Sequence, residues 1–266
     1  MRGHVRHGDL RRGRRQRSRR SVSVLRDIAA AFGWLSIVPV KAYAEARPTR
    51  WFPLVGWMFG GLAYGMARAA GLLGFGLFGM LLAAALIVAA WAVGSRFLHW
   101  DGAADSVDGL LGGATPERRL EIMHDSSTGA FGTTTIVLLA SLQVFSVAAL
   151  ISSLDLWPLV AAPVLGRLSA VTGLWTVPRS STTGLAARLP ASEGWLAWAI
   201  AGVLIVPLAL LSPLQSPMLL VGVIAAMLVP RALARPVGGI SGDLLGASVL
   251  LVETLVLVAS ALLSGG

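Results

Sequence analysis

The chain reads as an all-α, polytopic membrane protein with about six or seven transmembrane helices and a short acidic helical hairpin at the cytoplasmic face. Three observations predict it. Of the 266 residues, 55% are hydrophobic and 13% charged, at a mean hydropathy of +0.74, whereas soluble domains carry about 25% charged residues. That leaves too little polar surface to cover a soluble globule of this size. The second observation is a series of long runs without charge. The third is a window of 25 positions, between such runs, that holds six of the 13 acidic residues: Asp101, Asp105, Asp108, Glu117, Glu121 and Asp125. A carboxylate at the centre of a bilayer costs roughly 2.5–3.5 kcal/mol on insertion scales. The window must meet water, a cation or both, and its default reading is a functional site.

The elements follow in chain order. Nine of the 22 basic residues are arginines within the first 20 positions, so residues 1–23 are expected to form a disordered arm that touches anionic lipid. A nucleic-acid arm would interleave aromatics, yet none precedes Phe32. No specific nucleic-acid partner is expected. Translation from near Val24 is an alternative, and a cleaved signal peptide fits poorly. Residues 24–266 then form one integral membrane catalytic domain, with the lipid bilayer as its partner; a homo-oligomer is left open. Residues 28–40 are too short to cross unaided, and 51–67 is a glycine-rich, marginal span. Residues 72–93 carry no charge over 22 positions, about 33 Å as a helix. Further runs cover 129–154, 156–178 (interrupted by Arg167) and 244–264 (containing Glu253), and 194–230 reads as a helical hairpin turning at Ser212-Pro213 and Ser216-Pro217. The arginines put the N-terminus, the acidic window and the 235–243 segment on the cytoplasmic side of the inner membrane. There is no cysteine, and two of the four histidines lie in the arm, which excludes thiolate chemistry and disfavours a histidine-rich zinc site.

Within the window, Asp101, Asp105 and Asp108 stand at i, i+4 and i+7, one face of a helix. Glu117, Glu121 and Asp125 stand at i, i+4 and i+8. Between them, Leu111 to Pro116 supplies a turn, with Thr115 as N-cap and Pro116 at the first helical position. Two short antiparallel helices are expected to face each other carboxylate to carboxylate. Such rows repel unless a cation holds them, and Mg²⁺ suits oxygen ligands that it shares with substrate phosphates. The blander reading, a solvated face with salt bridges to Arg118 and Arg119, applies best to Glu117 and Glu121. The candidate metal-binding and catalytic residues are Asp101, Asp105, Asp108 and Asp125.

LHWDGAADSVDGLLGG at 98–113, followed by ERRLEIMHDSSTGAFG at 117–132, resembles the cobalamin synthase (adenosylcobinamide-GDP ribazoletransferase) family, whose pattern is close to LHxDGxADxxDG then ERxLEIMxDSxxGxFG. FPLVGWMFG at 52–60, APVLGRLSA at 162–170 and RPVGGISGDLLGAS at 235–248 agree with it too. Three departures stand outside the acidic core: WLSIVPV at 34–40 follows the family loosely, Arg96-Phe97 stands where many members carry glycines, and the Arg-rich leader lies outside the shared region. The resemblance implies transfer of the adenosylcobinamide-phosphate moiety from its GDP-activated form to a ribose hydroxyl of α-ribazole or its 5′-phosphate. GMP is released, Mg²⁺ is required, and the reaction occurs in the cytoplasmic membrane. The acid spacing is also similar to that of CDP-alcohol phosphotransferases, with an acid at Asp105 where those enzymes have arginine.

Under this reading the four aspartates bind Mg²⁺ on the substrate pyrophosphate, and Asp125 is the candidate for taking the nucleophile's proton. His99, Arg118, Arg167, Arg235 and Asp243 are expected to bind substrate. Arg167 is drawn by its position mid-span, Asp243 and Arg235 by the glycine-rich turn they flank. Glu253 is expected to be a packed or paired residue. An ion-coupled transporter would disperse its acids over several spans, and a lipid-synthesising phosphotransferase would lack the GISGDLLGA segment.

Overall fold

The computed structural model describes residues 23–40, 45–74, 76–180, 184–189, 194–211 and 216–264. Residues 1–22 of the basic arm and the hairpin tip at 212–215 lie outside the described residues. The described chain is helical: α1 (23–35), a 3₁₀ turn at Thr49–Trp51, α2 (Phe52–Leu72), α3 (Leu77–Gly94), α4 (Leu98–Gly112), α5 (Pro116–Met123), α6 (Ala130–Ser153), α7 (Pro158–Thr176), α8 (Gly184–Arg188), α9 (Gly194–Leu211), α10 (Ser216–Ala234) and α11 (Gly242–Ser264). Among the described residues there is no strand, only one isolated bridge between Arg179 and Ile240.

Helix α7 is the axis of the bundle, buried from Pro158 through Leu174. It is apolar all round apart from Arg167, which suits an interior helix. Helix α2 lies against it through Gly56 and Gly60, a small-xxx-small face. A Cβ at Gly60 would stand 2.5 Å from the Cα of Val160, and one at Gly56 would strike the backbone of Pro163. Side chains there would force the two helices apart. Helix α11 covers another side of α7, and Gln143 of α6 donates to Thr254 Oγ1 of α11 at 2.9 Å. This interhelical bond satisfies two buried polar groups in an apolar setting.

Five helices are long and apolar enough to cross a membrane: α3, α6, α7, α10 and α11. Helix α9 contributes a shorter apolar stretch, Gly194–Val206, and α2 has 21 residues, about 31 Å. The outer faces of α3 and α6 expose Phe78, Leu82, Leu86, Val137, Leu138 and Phe145, side chains that suit lipid rather than water. Helix α1, too short to cross, is tied down at both ends. Buried Asp27 accepts from Arg47 N at 2.8 Å and pairs with Arg50, and Arg96 Nη2 donates to the carbonyls of Gly33 and Trp34 at 3.0 and 3.2 Å.

Candidate active site

Helix α4 starts from a bent joint. Arg96 and Phe97 both hold φ of 56°, in the left-handed region, where bulky side chains are rarely found. The joint is closed by Phe97 N donating to Ala92 O at 2.7 Å and Arg96 N to Val93 O at 2.8 Å. It turns the chain so that α4, which is not one of the spanning helices, carries its acids along one face. Exposure falls along that row: Asp101 is exposed, Asp105 half-buried and Asp108 buried.

The start of α11 crosses this helix. A Cβ at Gly102 would stand 2.7 Å from the carbonyl oxygen of Asp243, and one at Gly246 would stand 3.0 Å from that of Leu98. The close crossing brings Asp243 to the acids of α4. Upstream, Ile240 N donates to Pro178 O at 2.8 Å and Ser180 N to Ile240 O at 3.1 Å, which fixes the turn that leads into α11. Asp105 is pushed up to about 7, first by burial and then by the negative charges of Asp101, Asp243 and Asp108. Asp243 also feels His124, at the exposed end of α5. Among the described residues no three His, Asp or Glu side chains stand close enough together to hold a metal ion by themselves. Mg²⁺ is commonly held by one or two carboxylates with substrate phosphates and water completing its shell, so an open set of repelling oxygens fits that ion.

Helix α5 differs from the expected facing row. Thr115 caps it, its Oγ1 accepting from Arg118 N at 3.3 Å, with Pro116 at the first position. However, Met123 is the residue laid on α4, where a Cβ at Gly109 would stand 2.5 Å from its Cγ. Glu117 and Glu121 point to solvent, and Arg118 pairs with Glu121 at 2.7 Å. The acid that faces the α4 row therefore comes from α11, 135 residues beyond Asp108. Arg119 makes the connection that the spacing did not reveal. Its Nε donates to Gly113 O at 2.9 Å and its Nη1 to Pro236 O at 2.8 Å, tying the α4–α5 turn to the loop that carries Arg235 and Asp243.

The remaining expected residues separate. Asp125 is exposed, and Ser127 N donates to its Oδ1 at 2.9 Å. That backbone bond, then the Ser127 hydroxyl and the nearby Arg118, hold it below the usual carboxylate range. It is not among the charges that act on Asp105. Asp108 accepts from Gly129 N at 2.7 Å and Gly132 N at 2.9 Å. Arg235 is exposed on the short turn before Gly238. Arg167, expected to reach substrate, is enclosed at 1% exposure, pairs with Glu253 and lies 5.1 Å from the centre of the Phe59 ring. Glu253 is the paired residue that was expected. His99 is buried, with neither ring nitrogen bonded among the described residues. It lines a cavity of about 30 Å³ with Leu35, Phe52 and Leu245, and burial and then Arg167 lower its pKa well below the ordinary value, so the ring is neutral.

The model of the family described as cobalamin-5-phosphate synthase (CobS) matches residues 27–261. The chain belongs to the cobalamin-5-phosphate synthase family. It is 36% identical to the adenosylcobinamide-GDP ribazoletransferase of Ralstonia pickettii (strain 12J) over 242 residues, covering 85% of this chain and 91% of that one. The enzyme of the same name from Syntrophobacter fumaroxidans is 40% identical over 228 residues, 81% of this chain and 87% of its own. That of Pseudomonas fluorescens (strain Pf0-1) is 35% identical over 244 residues, 87% and 97%. No solved structure matches the chain significantly. Membership of the synthase family makes the protein a transferase of late cobalamin biosynthesis. The synthase match covers α2 through most of α11 and so includes every acid of the site.

Proposed function

We propose that the chain joins adenosylcobinamide-GDP to α-ribazole or its 5′-phosphate, and that the reacting pyrophosphate lies over Asp101, Asp105 and Asp243. The observation that carries this reading is the crossing of α4 and α11 at Gly102 and Gly246, which gathers carboxylates from two distant motifs. A ribose hydroxyl of the ribazole attacks the phosphorus nearer cobinamide. The bond from that phosphorus to the bridging oxygen breaks, and GMP leaves with the electron pair. Bound Mg²⁺ would neutralise charge on the pyrophosphate and on the departing GMP.

Asp101 and Asp243 are suited to hold the ion, since Mg²⁺ needs few protein carboxylates. Asp105 is suited to take the nucleophile's proton, because a base works best when its pKa is near the working pH. Asp125, held below the ordinary range, is the weaker base. Exposed Arg118, paired with Glu121, and exposed Arg235 flank the acids, and both are placed to meet phosphate oxygens, Arg118 by exchanging its solvent-exposed partner. The site faces the cytoplasm of a multi-pass inner-membrane protein in this reading, supported by the arginines that flank it.

The test is direct. Membranes containing the chain receive adenosylcobinamide-GDP, α-ribazole or its 5′-phosphate, and Mg²⁺, and GMP is followed with and without EDTA. GMP release that EDTA stops is expected. Absence of GMP release, or release indifferent to EDTA, contradicts the reading.

A further inference from the structure

Asp108 belongs to the α4 row by spacing, yet its carboxylate is spent differently from those of Asp101 and Asp105. It is 7% exposed. Oδ2 accepts from Gly129 N at 2.7 Å and Oδ1 from Gly132 N at 2.9 Å. These amides belong to the N-cap and first turn of α6, a helix start with no capping side chain of its own. A helix N-terminus leaves unsatisfied N–H groups and a positive end, and a carboxylate from another helix supplies both the acceptor and the charge.

The fit is made by the glycines. A Cβ at Gly129 would stand 2.5 Å from Asp108 Oδ1, and one at Gly132 would collide with Oδ2 and stand 2.9 Å from Ala104 O. Gly129 has φ of −83°, so the need there is for space and not for an unusual backbone.

We propose that Asp108 is a positioning residue: it locks the start of α6, and the Asp125 loop before it, onto the acid-bearing helix, and it does not ligate the cation. The acid row then has a solvent-facing end that meets substrate and an interior end that clamps α4 to α6. The part concerning the cation rests on the metal-dependent reading above.

The test uses the full chain in membranes and in detergent, with two readouts. The first is amide hydrogen exchange over 125–133. The second is the Mg²⁺ concentration for half-maximal GMP release, together with kcat. Asp108→Asn retains one acceptor oxygen but turns an N–H toward the second amide. Exchange over 125–133 should rise about tenfold or more, the effect of losing one charge-assisted bond. kcat should fall while the Mg²⁺ requirement stays within about threefold of wild type, less than the tenfold that removing even an outer partner of a metal causes. Gly132→Ala removes no oxygen and should reproduce both effects. Asp101→Asn should do the reverse, raising the Mg²⁺ requirement and leaving exchange over 125–133 unchanged.

An Asp108→Asn protein with wild-type exchange, and a Mg²⁺ requirement raised as far as in Asp101→Asn, overturns the proposal. If Asp108→Asn does not insert, Gly132→Ala decides: wild-type exchange and turnover overturn the clamp, and loss of both at unchanged Mg²⁺ requirement supports it. If the wild-type chain releases no metal-dependent GMP, the parent reading falls, and the exchange data still decide the clamp.

Discussion

Asp105 carries the most direct consequence at the scale of single residues. Its folded pKa is raised to about 7 by burial and by Asp101, Asp243 and Asp108, so it is protonated at acid pH and ionised only above that value. A proton acceptor must be ionised, and Mg²⁺ must displace any proton from the carboxylates it approaches. Both effects have one sign: kcat/KM for GMP release should rise through pH 7 and level off above it. Asp105→Asn should abolish turnover while the protein still inserts. A rate flat from pH 5.5 to 8 would contradict this, the roughly 1.5 units below the pKa being enough to cost more than tenfold. Stability has the opposite trend, because the folded state holds an extra proton between the ordinary carboxyl range and about 7. Without divalent cation the protein should lose stability as pH rises through that window. Arg167 and Glu253 offer a second test. Glu253→Leu would leave a buried guanidinium unpaired and cost about 3–5 kcal/mol, whereas Arg167→Met with Glu253→Leu should recover most of the loss. Thermal unfolding in detergent measures both; a double variant no better than the single one would contradict the pairing. In the sequence, Arg167 is a charge in an apolar run and part of the APVLGRLSA segment, which favours a substrate cavity over the interior pair that the structure shows. Its partner lies 86 residues away, and only the packing of α7 on α11 selects between the two.

At the scale of elements, local signals were legible and relative orientations were not. The α4 row, the Thr115 cap, the Pro116 start and the two helices α9 and α10 depend on neighbours within a few residues, and all form as expected. The facing of α5 depends on Met123 finding Gly109 and on Arg119 reaching Pro236, 117 residues away. No spacing within the acidic window encodes that. Arg119→Ala should therefore weaken the site without touching substrate, with a lower kcat and faster amide exchange in both 113–119 and 235–241. Unchanged exchange in the second segment would contradict the tie. The joint before α4 gives a prediction of gain. Phe97 sits half-exposed with φ of 56°, and an L-residue there costs roughly 1–2 kcal/mol that glycine does not. Phe97→Gly should raise stability by about 1 kcal/mol after its partial packing is lost. A lower unfolding midpoint would show that the ring contributes more than the strain removes.

For the whole molecule, the fold class was readable because a bilayer demands long apolar helices and little else. The marginal span at 51–67 was the exception, and the reason is physical. Two glycines of helix α2, Gly56 and Gly60, are seated against α7, so at those positions contact with another helix, not contact with lipid, sets the residue. The site was legible in its residue types and only partly in its membership. Asp101 and Asp105 meet Asp243 across α11, whereas Asp125 stands apart in the solvent and Asp108 turns inward. Removal of residues 2–22, which precede the matched region 27–261, should leave GMP release in membranes intact; its loss would give the arm a catalytic part. The central claim is that one site is built from carboxylates of α4 and α11. It is tested most directly by titrating Mg²⁺ against GMP release in wild type and Asp243→Asn membranes. The account predicts that Asp243→Asn needs roughly tenfold more Mg²⁺ or more, since even outer partners of a bound metal contribute that much. An unchanged Mg²⁺ requirement at wild-type turnover would contradict it.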